Sequence, residues 1–596
     1  MRRIFTPVKA FCTFTLMTLT AFFTLFTAFN GAVAQPAARE GALISYRSAQ
    51  HPVLAENGMV VSQDGFASQA GLEVLRAGGN AIDAAVATGF ALAVTHPQAG
   101  NLGGGGFLLA YIAAEDRVIA LDYREMAPKG ASRDMFLGDD GAVDNDRARF
   151  SYLSSGVPGT VMGLLRALDA YGTLPRATVM APAIRLAEDG FAMTWPLYES
   201  LSRYQKRLKS DAASAAYFFK PDGSAYKPGE VFRQPDLAKT LKTIAGSGAD
   251  GFYKGWVADA IVETMGRNGG LITHGDLASY VAKERTPVSG TFRDFRVVSM
   301  PPPSSGGVHI VQMLNVLEGW DLAGLGHNSA AYLHRLAETM KYAYADRSKY
   351  LGDPDFTPVP VAALTDKDYA ARIRARIDVD KATPSTEIGP APTLADESPD
   401  TTHYSTADRW GNMVANTYTL NFTYGNGKSV AGAGFLLNNE MDDFSAKPGV
   451  PNAFGLLGGE ANAIAPGKRP LSSMTPTLLF RDGRPFMATG APGGSRIITA
   501  VLQVILNATA FDMNAMEAVA APRIHHQWFP DRLFMEPGHS VDTRALLAAM
   551  GQAVKADPRD GFDFVIGSTQ TIVRNPDGIL MGAPDPRRPG SSAAAY

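Results

Sequence analysis

The sequence is nearly devoid of cysteine, and this excludes several kinds of stabilisation and chemistry. Its 596 residues contain a single cysteine, Cys12, which lies in an N-terminal leader. A mature protein without Cys12 has no thiol, no disulfide and no cysteine metal site. The adjacent His525 and His526 lack a carboxylate or third ligand at metal-site spacing. We therefore expect no required metal and no other cofactor.

The chain also has little net charge and no phosphate-binding loop. Its net charge is −3 at pH 7, which provides no attraction to nucleic acid. The glycines at 103–106 are not followed by Lys-Ser/Thr, and they are better explained as sites where the backbone packs tightly against another strand pair. No stretch after the leader is long and apolar enough to span a bilayer. We expect neither a nucleic acid nor a stable membrane partner.

Residues 1–34 have the pattern of an export signal. Basic residues at 2, 3 and 9 accompany an apolar run to about residue 29, and Ala32-Val33-Ala34 forms a small-residue cleavage site. A membrane anchor is the alternative, because the run approaches the roughly 20 residues that span a bilayer. The many threonines and the Ala-x-Ala ending favour removal. We expect secretion across an inner membrane, to the periplasm or the exterior.

A proline-rich linker leads into a β-hairpin. Residues 381–400 hold four prolines and few large apolar residues, so we expect 380–400 to be an exposed, flexible linker. Residues 403–407 and 413–420 are β-branched and aromatic in bias, and they flank a turn signal. In that hairpin Thr401 lies opposite Thr419 or Leu420, with Cβ atoms about 4.5–5.5 Å apart. The Thr401 and Thr419 hydroxyls could therefore exchange a hydrogen bond.

Thr401, at the start of the hairpin, is a candidate nucleophile. A hydroxyl needs a base to take its proton, and a free α-amino group, with a pKa of about 7.7–8.0, suits that role. This amine exists only if the Asp400–Thr401 bond is cut. The Thr401 hydroxyl could cut it by an N-to-O acyl shift, after which water opens the ester. From these residues alone, an ordinary strand threonine behind a polar linker is the alternative.

The chain before the linker is mostly helical by pattern. An apolar, buried helix capped by Asn80 is predicted at 81–94, and other helices at 69–76, 162–171, 179–190, 257–266, 308–319 and 329–349. Strands are predicted at 59–62, 118–123, 292–299 and 435–437. On spacing alone, Arg124 would be a solvated or salt-bridged arginine, and Glu440 and Asp443 would be surface charges.

Several blocks of sequence change this interpretation. They are GGNAIDAAVA (78–87), THPQAGNLGGGGF (95–107), DYREMAP (122–128), TTHYS (401–405), LLNNEMDDFSAKPG (436–449), RPLSSMTPT (469–477) and GAPGGSRII (490–498). With these blocks, nearly the whole chain after the leader resembles the γ-glutamyltransferases (glutathione hydrolases), which are N-terminal-nucleophile hydrolases. The resemblance implies an α/β (α+β) fold, a four-layer αββα sandwich. It also implies a large subunit, 35–400, and a small catalytic subunit, 401–596, in one intertwined unit.

The resemblance assigns roles to individual positions. Thr401 is the nucleophile and Thr419 orients it. The substrate α-carboxylate is held by Arg124, Ser472 and Ser473, and the α-ammonium by Asn421, Glu440 and Asp443. Gly493 and Gly494 match the oxyanion hole, where one main-chain donor is typically worth about 3 kcal/mol. The lid-like 449–455 departs from better-known bacterial relatives, because Phe454 stands where they carry a tyrosine whose hydroxyl could bond to Asn421.

We therefore predict an enzyme that cuts itself between Asp400 and Thr401 and acts on γ-glutamyl amides. It should hydrolyse glutathione and related compounds and transfer the γ-glutamyl group to amino acids or peptides, and its two cleavage products should form a heterodimer. The nearest alternative is a cephalosporin or glutaryl acylase of the same fold, against which Asn421, Glu440 and Asp443 argue. An alternative of another class is an exported solute-binding protein that stays uncut.

Overall fold

The computed structural model describes residues 48–389, 401–555 and 565–596. The predicted leader and the scissile Asp400 lie outside the described residues. Positions 390–399 of the predicted linker lie outside them as well, whereas Ser385–Ile388 forms a short helix.

The strands of the described chain are short and numerous. They are β1 (Val53–Ala55), β2 (Gly58–Ser62), β3 (Gly105–Ile112), β4 (Arg117–Tyr123), β5 (Phe191–Ala192), β6 (Val231–Phe232), β7 (Lys283–Arg285), β8 (Val288–Phe292), β9 (Phe295–Ser299), β10 (Thr402–Asp408), β11 (Met413–Thr419), β12 (Thr477–Arg481), β13 (Arg484–Thr489), β14 (Ile524–His525), β15 (Leu533–Met535), β16 (Val554–Lys555), β17 (Gln570–Arg574), β18 (Leu580–Pro584) and β19 (Ser592–Ala595).

Two seven-stranded antiparallel sheets form the centre of the fold. The first sheet has the order β1-β18-β17-β13-β12-β9-β8, and the second has the order β19-β2-β10-β11-β3-β4-β7. Both sheets contain strands from before and from after residue 400. Two small sheets, β14-β15-β16 and β5-β6, lie outside this pair.

Helices cover the sheets. They are α1 (Gly65–Arg76), α2 (Ala81–Thr95), α3 (Asn145–Phe150), α4 (Thr160–Tyr171), α5 (Arg176–Glu188), α6 (Trp195–Leu208), α7 (Ala212–Phe218), α8 (Pro235–Ser247), α9 (Asp250–Tyr253), α10 (Gly255–Asn268), α11 (His274–Ser279), α12 (Gly306–Leu317), α13 (Leu322–Leu325), α14 (Ala330–Tyr350), α15 (Val361–Leu364), α16 (Lys367–Arg376), α17 (Ser385–Ile388), α18 (Ile497–Ala510), α19 (Ala515–Ala520) and α20 (Val541–Ala549). Within the described ranges, no helix has the length and apolar character needed to cross a membrane.

The side chains of β3 show how the layers are arranged. Phe107, Leu109 and Tyr111 join one hydrophobic core, while Leu108 and Ala110 join the other, as the two-residue period of a strand requires. The first core contains residues of both large sheets and of α12, α14 and α18. The second core packs the opposite face of the second sheet against α2, α4 and α5. The order helix, sheet, sheet, helix confirms the predicted four-layer αββα sandwich.

Local predictions are mostly confirmed, and two strand predictions are wrong. Helix α2 is buried on every side and begins with a capping box between Asn80 and Asp83. The strand predicted at 292–299 is instead a hairpin, because Arg293 adopts a positive φ of 53° between β8 and β9. In the strand predicted at 435–437, only Leu436 and Leu437 form isolated bridges, to Ser429 and Gly103 respectively.

The hairpin β10–β11 lies in the middle of the second sheet. Thr402 pairs with Tyr418, and the hairpin is flanked by β2 and β3. The glycines before β3 allow this packing, since a Cβ added at Gly104 would lie 1.9 Å from the Thr419 carbonyl oxygen. The expected tight approach at the glycine cluster is thereby confirmed. The start of β10 and the end of β11 lie next to each other at the open end of the hairpin.

Candidate active site

A small internal cavity brings the predicted site residues together. Its volume is about 20 Å³, roughly the space of one water molecule. Nine of the predicted catalytic and substrate-binding residues line it: Arg124, Thr401, Thr419, Asn421, Glu440, Asp443, Ser472, Ser473 and Gly494. The other wall residues are Arg347, Phe454, Leu456, Met474 and Ile497. Gly493 does not line the cavity but precedes Gly494 in the chain.

Thr401 and Thr419 are neighbours across the hairpin. Their hydroxyl oxygens are 3.3 Å apart, and Thr401 is only 6% exposed. The Asn421 main-chain N–H donates to the Thr419 hydroxyl oxygen over 2.8 Å, which fixes the orientation of that side chain. The predicted contact between the two threonines is present.

Asn421 lines the cavity from a turn after β11, which the sequence pattern does not predict. Strand β11 ends at Thr419, and Asn421 adopts a left-handed φ of 76°, so the two side chains do not follow strand alternation. The Asn421 amide nitrogen donates to the Asn439 carbonyl oxygen over 2.9 Å, and the Asn439 side chain accepts the Phe422 N–H over 3.0 Å. A turn, held by Asn439, therefore positions Asn421.

Arg124 forms a buried ion cluster directly after β4. Separate guanidinium nitrogens contact the carboxylates of Glu440 and Asp443, and the Nε–H donates to the Pro470 carbonyl oxygen over 3.3 Å. Burial opposes the positive charge, but Glu440 and Asp443 outweigh it and raise the pKa of Arg124 above its usual value. Arg124 is 1% exposed, so the residues that read as surface charges in the sequence form one internal cluster.

Glu125 adds a third carboxyl group to this cluster. It is fully buried, and one of its oxygens lies 3.5 Å from the same Arg124 nitrogen that contacts Glu440. Burial raises the pKa of Glu125 to about 7. Burial also raises the pKa of Glu440 well above its usual value, with further contributions from Glu125 and Asp443. Burial therefore favours the protonated form of Glu125 and Glu440, against the opposing effect of Arg124.

Arg347 supports the serine side of the cavity. It lies in the last turn of α14, where it donates to the Ser473 hydroxyl over 3.1 Å and to the Ser305 hydroxyl over 3.0 Å. Ser305 in turn donates to the Ser472 carbonyl oxygen over 2.8 Å. Burial lowers the pKa of Arg347 to about 10. This arrangement holds Ser472 and Ser473 beside the Arg124 cluster.

Gly493 and Gly494 lie just before α18, where Gly494 begins a short 3₁₀ turn, and their backbone is one that glycine adopts most readily. Their φ values are 136° and 55°. A Cβ at Gly494 would lie 2.5 Å from the ring of Phe454. Phe454 is 5% exposed and makes an edge-to-face contact with Phe422 at 5.7 Å. Main-chain N–H groups at the start of a helix attract negative charge, so this corner of the cavity suits an anion.

A model of the gamma-glutamyltranspeptidase family matches residues 67–595. The chain belongs to this family. The predicted resemblance is thereby confirmed, and the sheets described above agree with the fold of N-terminal-nucleophile hydrolases.

Three proteins show the range of similarity around this gamma-glutamyltranspeptidase family member. It is 53% identical over 546 residues to the glutathione hydrolase proenzyme of Escherichia coli (strain K12), which covers 92% of this chain and 93% of that protein. It is 40% identical over 551 residues to the acylase ACY 1 proenzyme of Pseudomonas sp. (strain SE83), covering 91% and 94%. The crystal structure of cephalosporin acylase from Bacillus halodurans has a TM-score of 0.81 at 30% identity, covering 94% of this chain and 99% of that chain.

Sequence reasoning missed two charged residues of the family site. Glu125 stands inside the DYREMAP block next to Arg124, so its position was available as a signal. Arg347 offered no signal, because it ends a long helical pattern that is typical of core packing and reaches the cavity only through the packing of α14.

His525 and His526 serve hydrogen bonding in this family member. His525 contacts Thr499 and Gln527, whereas His526 lies 3.2 Å from Asp531. Among the residues that the structure describes, no group of three or more His, Cys, Asp or Glu side chains could hold a metal ion.

Proposed function

We propose that this chain cuts itself between Asp400 and Thr401 and then uses Thr401 to cleave γ-glutamyl amides, including glutathione. The observation that carries the proposal is the single cavity that joins the Thr401–Thr419 pair to the Arg124, Glu440 and Asp443 cluster. A nucleophile and charged groups of both signs therefore line the same cavity.

The first reaction is the cut itself. The Thr401 hydroxyl oxygen attacks the Asp400 carbonyl carbon, and the amide nitrogen leaves as the free α-amine of Thr401. The resulting ester joins Asp400 to the Thr401 oxygen. Water hydrolyses this ester, releasing the Asp400 carboxylate and restoring the hydroxyl. The products are two chains, 35–400 and 401–596, that remain one heterodimer.

The second reaction uses the amine that the cut creates. The α-amine accepts the proton of the Thr401 hydroxyl while its oxygen attacks the γ-carbonyl carbon. Main-chain N–H groups at Gly493 and Gly494 stabilise the negative oxygen. The proton then passes to the leaving amine, and the γ-glutamyl group stays on Thr401 as an ester. Water completes hydrolysis, or an amino acid or peptide amine completes transfer.

Substrate binding replaces one set of ion pairs with another. The α-carboxylate of the glutamyl group binds to the guanidinium of Arg124 and to Ser472 and Ser473. The α-ammonium donates to the carboxylates of Glu440 and Asp443 and to the side-chain amide oxygen of Asn421. Bidentate contact to a carboxylate suits a planar guanidinium. Because the buried charges exchange partners and stay paired, binding avoids the cost of an unpaired internal charge.

An acylase activity on cephalosporin or glutaryl amides is the second candidate. It is favoured by the similarity to the Pseudomonas and Bacillus halodurans acylases. A glutaryl group has the same length but carries no α-ammonium, so it would leave Glu440 and Asp443 without a cation from the substrate. For this reason the γ-glutamyl assignment is preferred. We propose that the protein is exported and works in the periplasm or outside the cell.

The decisive experiment compares two chromogenic anilides, γ-glutamyl and glutaryl, with and without a dipeptide acceptor. We expect rapid release from the γ-glutamyl anilide, acceleration by the dipeptide, and a small band whose N-terminal sequence starts at Thr401. Thr401→Ala should remain one chain with no turnover. Thr402→Val is the matched control, because the buried Thr402 hydroxyl has no hydrogen-bond partner among the described residues and should be dispensable. Preference for the glutaryl anilide would replace the proposal with the acylase.

A further inference from the structure

The wall of the active-site cavity includes a segment that must move before a substrate enters. The cavity of about 20 Å³ is far too small for a γ-glutamyl group, and Phe454 and Leu456 form part of its wall. The Asn452 side chain accepts the N–H groups of both residues, over 3.0 and 3.2 Å. Residues 452–456 therefore form one turn that narrows the site.

A chain of buried polar side chains holds this turn through its main chain. The Gln527 amide nitrogen donates to the Phe454 carbonyl oxygen over 3.2 Å. The Gln527 amide oxygen lies 2.9 Å from His525 Nε2, and His525 Nδ1 lies 2.8 Å from the Thr499 hydroxyl. Thr499 and His525 are 0% exposed and Gln527 is 3% exposed, so water does not compete for these bonds.

The direction of donation along this chain is consistent only one way. Gln527 can donate to Phe454 only through its NH₂ group, which leaves its oxygen facing His525. His525 Nε2 must then carry the proton, and Nδ1 accepts from the Thr499 hydroxyl. The Gln527 oxygen thereby selects the tautomer of the neutral ring, and Thr499, whose hydroxyl also lies 3.1 Å from the Arg496 carbonyl oxygen, supports it. Burial supports the neutral state of the ring, because it lowers the pKa of His525 to about 3.

We propose that Gln527 is a positioning residue that latches the 452–456 turn in its closed position, with His525 and Thr499 fixing its orientation. The proposal rests on the function proposed above and adds a residue that controls entry to the site. The latch acts on the Phe454 main chain, so it works without the side-chain hydroxyl that relatives with a tyrosine at this position possess.

The latch has a measurable signature in substrate affinity. If the closed turn excludes substrate, the apparent dissociation constant equals the intrinsic constant divided by the open fraction. Removing one net hydrogen bond shifts such an equilibrium by roughly three- to ten-fold. Gln527→Ala should therefore lower KM for the γ-glutamyl anilide, and Ki for glutamate as a competitive inhibitor, by about that factor. Simple damage to the site would raise both constants.

The matched control is another buried glutamine nearby. Gln503 is also 3% exposed and bonds to Thr499 and Ile524 main-chain atoms, but it does not touch the turn. Gln503→Ala should destabilise the protein without lowering KM. Thr499→Val, which keeps the side-chain shape, should lower KM in the same direction as Gln527→Ala and serves if Gln527→Ala does not fold.

Hydrogen exchange gives a test that does not depend on turnover. Amides of residues 452–456 should exchange faster in Gln527→Ala and Thr499→Val than in the parent, and Gln503→Ala should leave them unchanged. A folded Gln527→Ala with unchanged or raised KM and unchanged exchange would overturn the latch. A parent enzyme without γ-glutamyl turnover would instead overturn the proposed function, so the two failures are distinguishable.

Discussion

At the residue scale, one guanidinium faces three carboxyl groups inside the protein. Arg124 contacts Glu440 and Asp443, and Glu125 lies behind them. Under the proposed function, the α-ammonium of a glutamyl group binds to the carboxyl groups that Arg124 releases when it binds the α-carboxylate. The cluster would then suit a zwitterionic substrate.

The first prediction tests which carboxylate receives the α-ammonium. Asp443→Asn keeps the shape but removes a negative charge, so kcat/KM for the γ-glutamyl anilide should fall by roughly 10²- to 10⁴-fold. The glutaryl anilide should lose much less, because it has no ammonium. Asp442→Asn is the control, since Asp442 pairs with Arg149 outside the cavity and should affect both substrates alike. Equal losses in Asp443→Asn would assign Asp443 to the fold.

The second prediction concerns pH and Glu125. Because burial raises its pKa from 4.5 to about 7, the folded protein keeps a proton that the unfolded chain releases above pH 4.5. This contribution to the free energy of unfolding is fully present below pH 4.5. It falls as the pH rises from 4.5 through 7, and the total loss is at most about 3 kcal/mol. Urea unfolding of the uncut Thr401→Ala protein at pH 5 and 8 should show this loss.

The comparison that isolates Glu125 uses a neutral replacement. Adding Glu125→Gln to the uncut protein should reduce the loss of stability between pH 5 and 8, since the amide does not titrate. Glu115→Gln, at an exposed position, should leave the loss unchanged. A Glu125→Gln profile parallel to that of its parent would mean that other groups cause the pH dependence.

At the element scale, the position of the β10–β11 hairpin depends on the glycines just before and at the start of the neighbouring strand β3. A Cβ at Gly104 would meet the Thr419 carbonyl oxygen at 1.9 Å and the Asn101 side chain at 2.7 Å. Neither contact can persist, so β11 would have to shift away from β3. The shift would move the Thr419 hydroxyl that lies against Thr401.

The third prediction is the effect of Gly104→Ala. A displacement of about 1 Å at a reacting group costs on the order of 10²-fold in rate, and overpacking costs about 1–3 kcal/mol of stability. Turnover and the melting temperature should therefore both fall. Gly130→Ala is the control, because its nearest contact would be an ordinary 3.6 Å from Leu271. A Gly104→Ala enzyme with parental kcat would show that the hairpin tolerates displacement.

The elements differ in how well the sequence predicts them. The hairpin register follows from strand periodicity and a short turn, so Thr401 and Thr419 could be paired in advance. Helix α2 could be predicted because its apolar residues cover every face. Asn421 could not be placed, since its left-handed φ departs from the strand pattern. Arg347 and Gln527 reach the site only through packing between distant segments, which local sequence does not encode.

At the scale of the whole molecule, both large sheets are built from the two sides of the proposed cut. In the described parts of the chain, β10 pairs with β2, β11 with β3, β12 with β9, β18 with β1 and β19 with β2. Cutting one peptide bond leaves all of these ladders intact. The two products should therefore elute as one species in native gel filtration and separate only in denaturant.

Because strands from the two sides of the proposed cut pair with each other, the cut should also change how the protein refolds. The uncut chain folds as a first-order process, since every partner strand is tethered to it. After the cut, the same ladders can re-form only when two separate chains collide, so refolding becomes second-order and competes with aggregation of unpaired strands. We expect urea-unfolded Thr401→Ala protein to refold at a rate independent of concentration, whereas the processed enzyme should recover less activity as it is diluted. Maturation would thus make a reversible folding reaction difficult to reverse. The covalent link would hold the two parts together while they fold, and it would be cut once the sheets have formed.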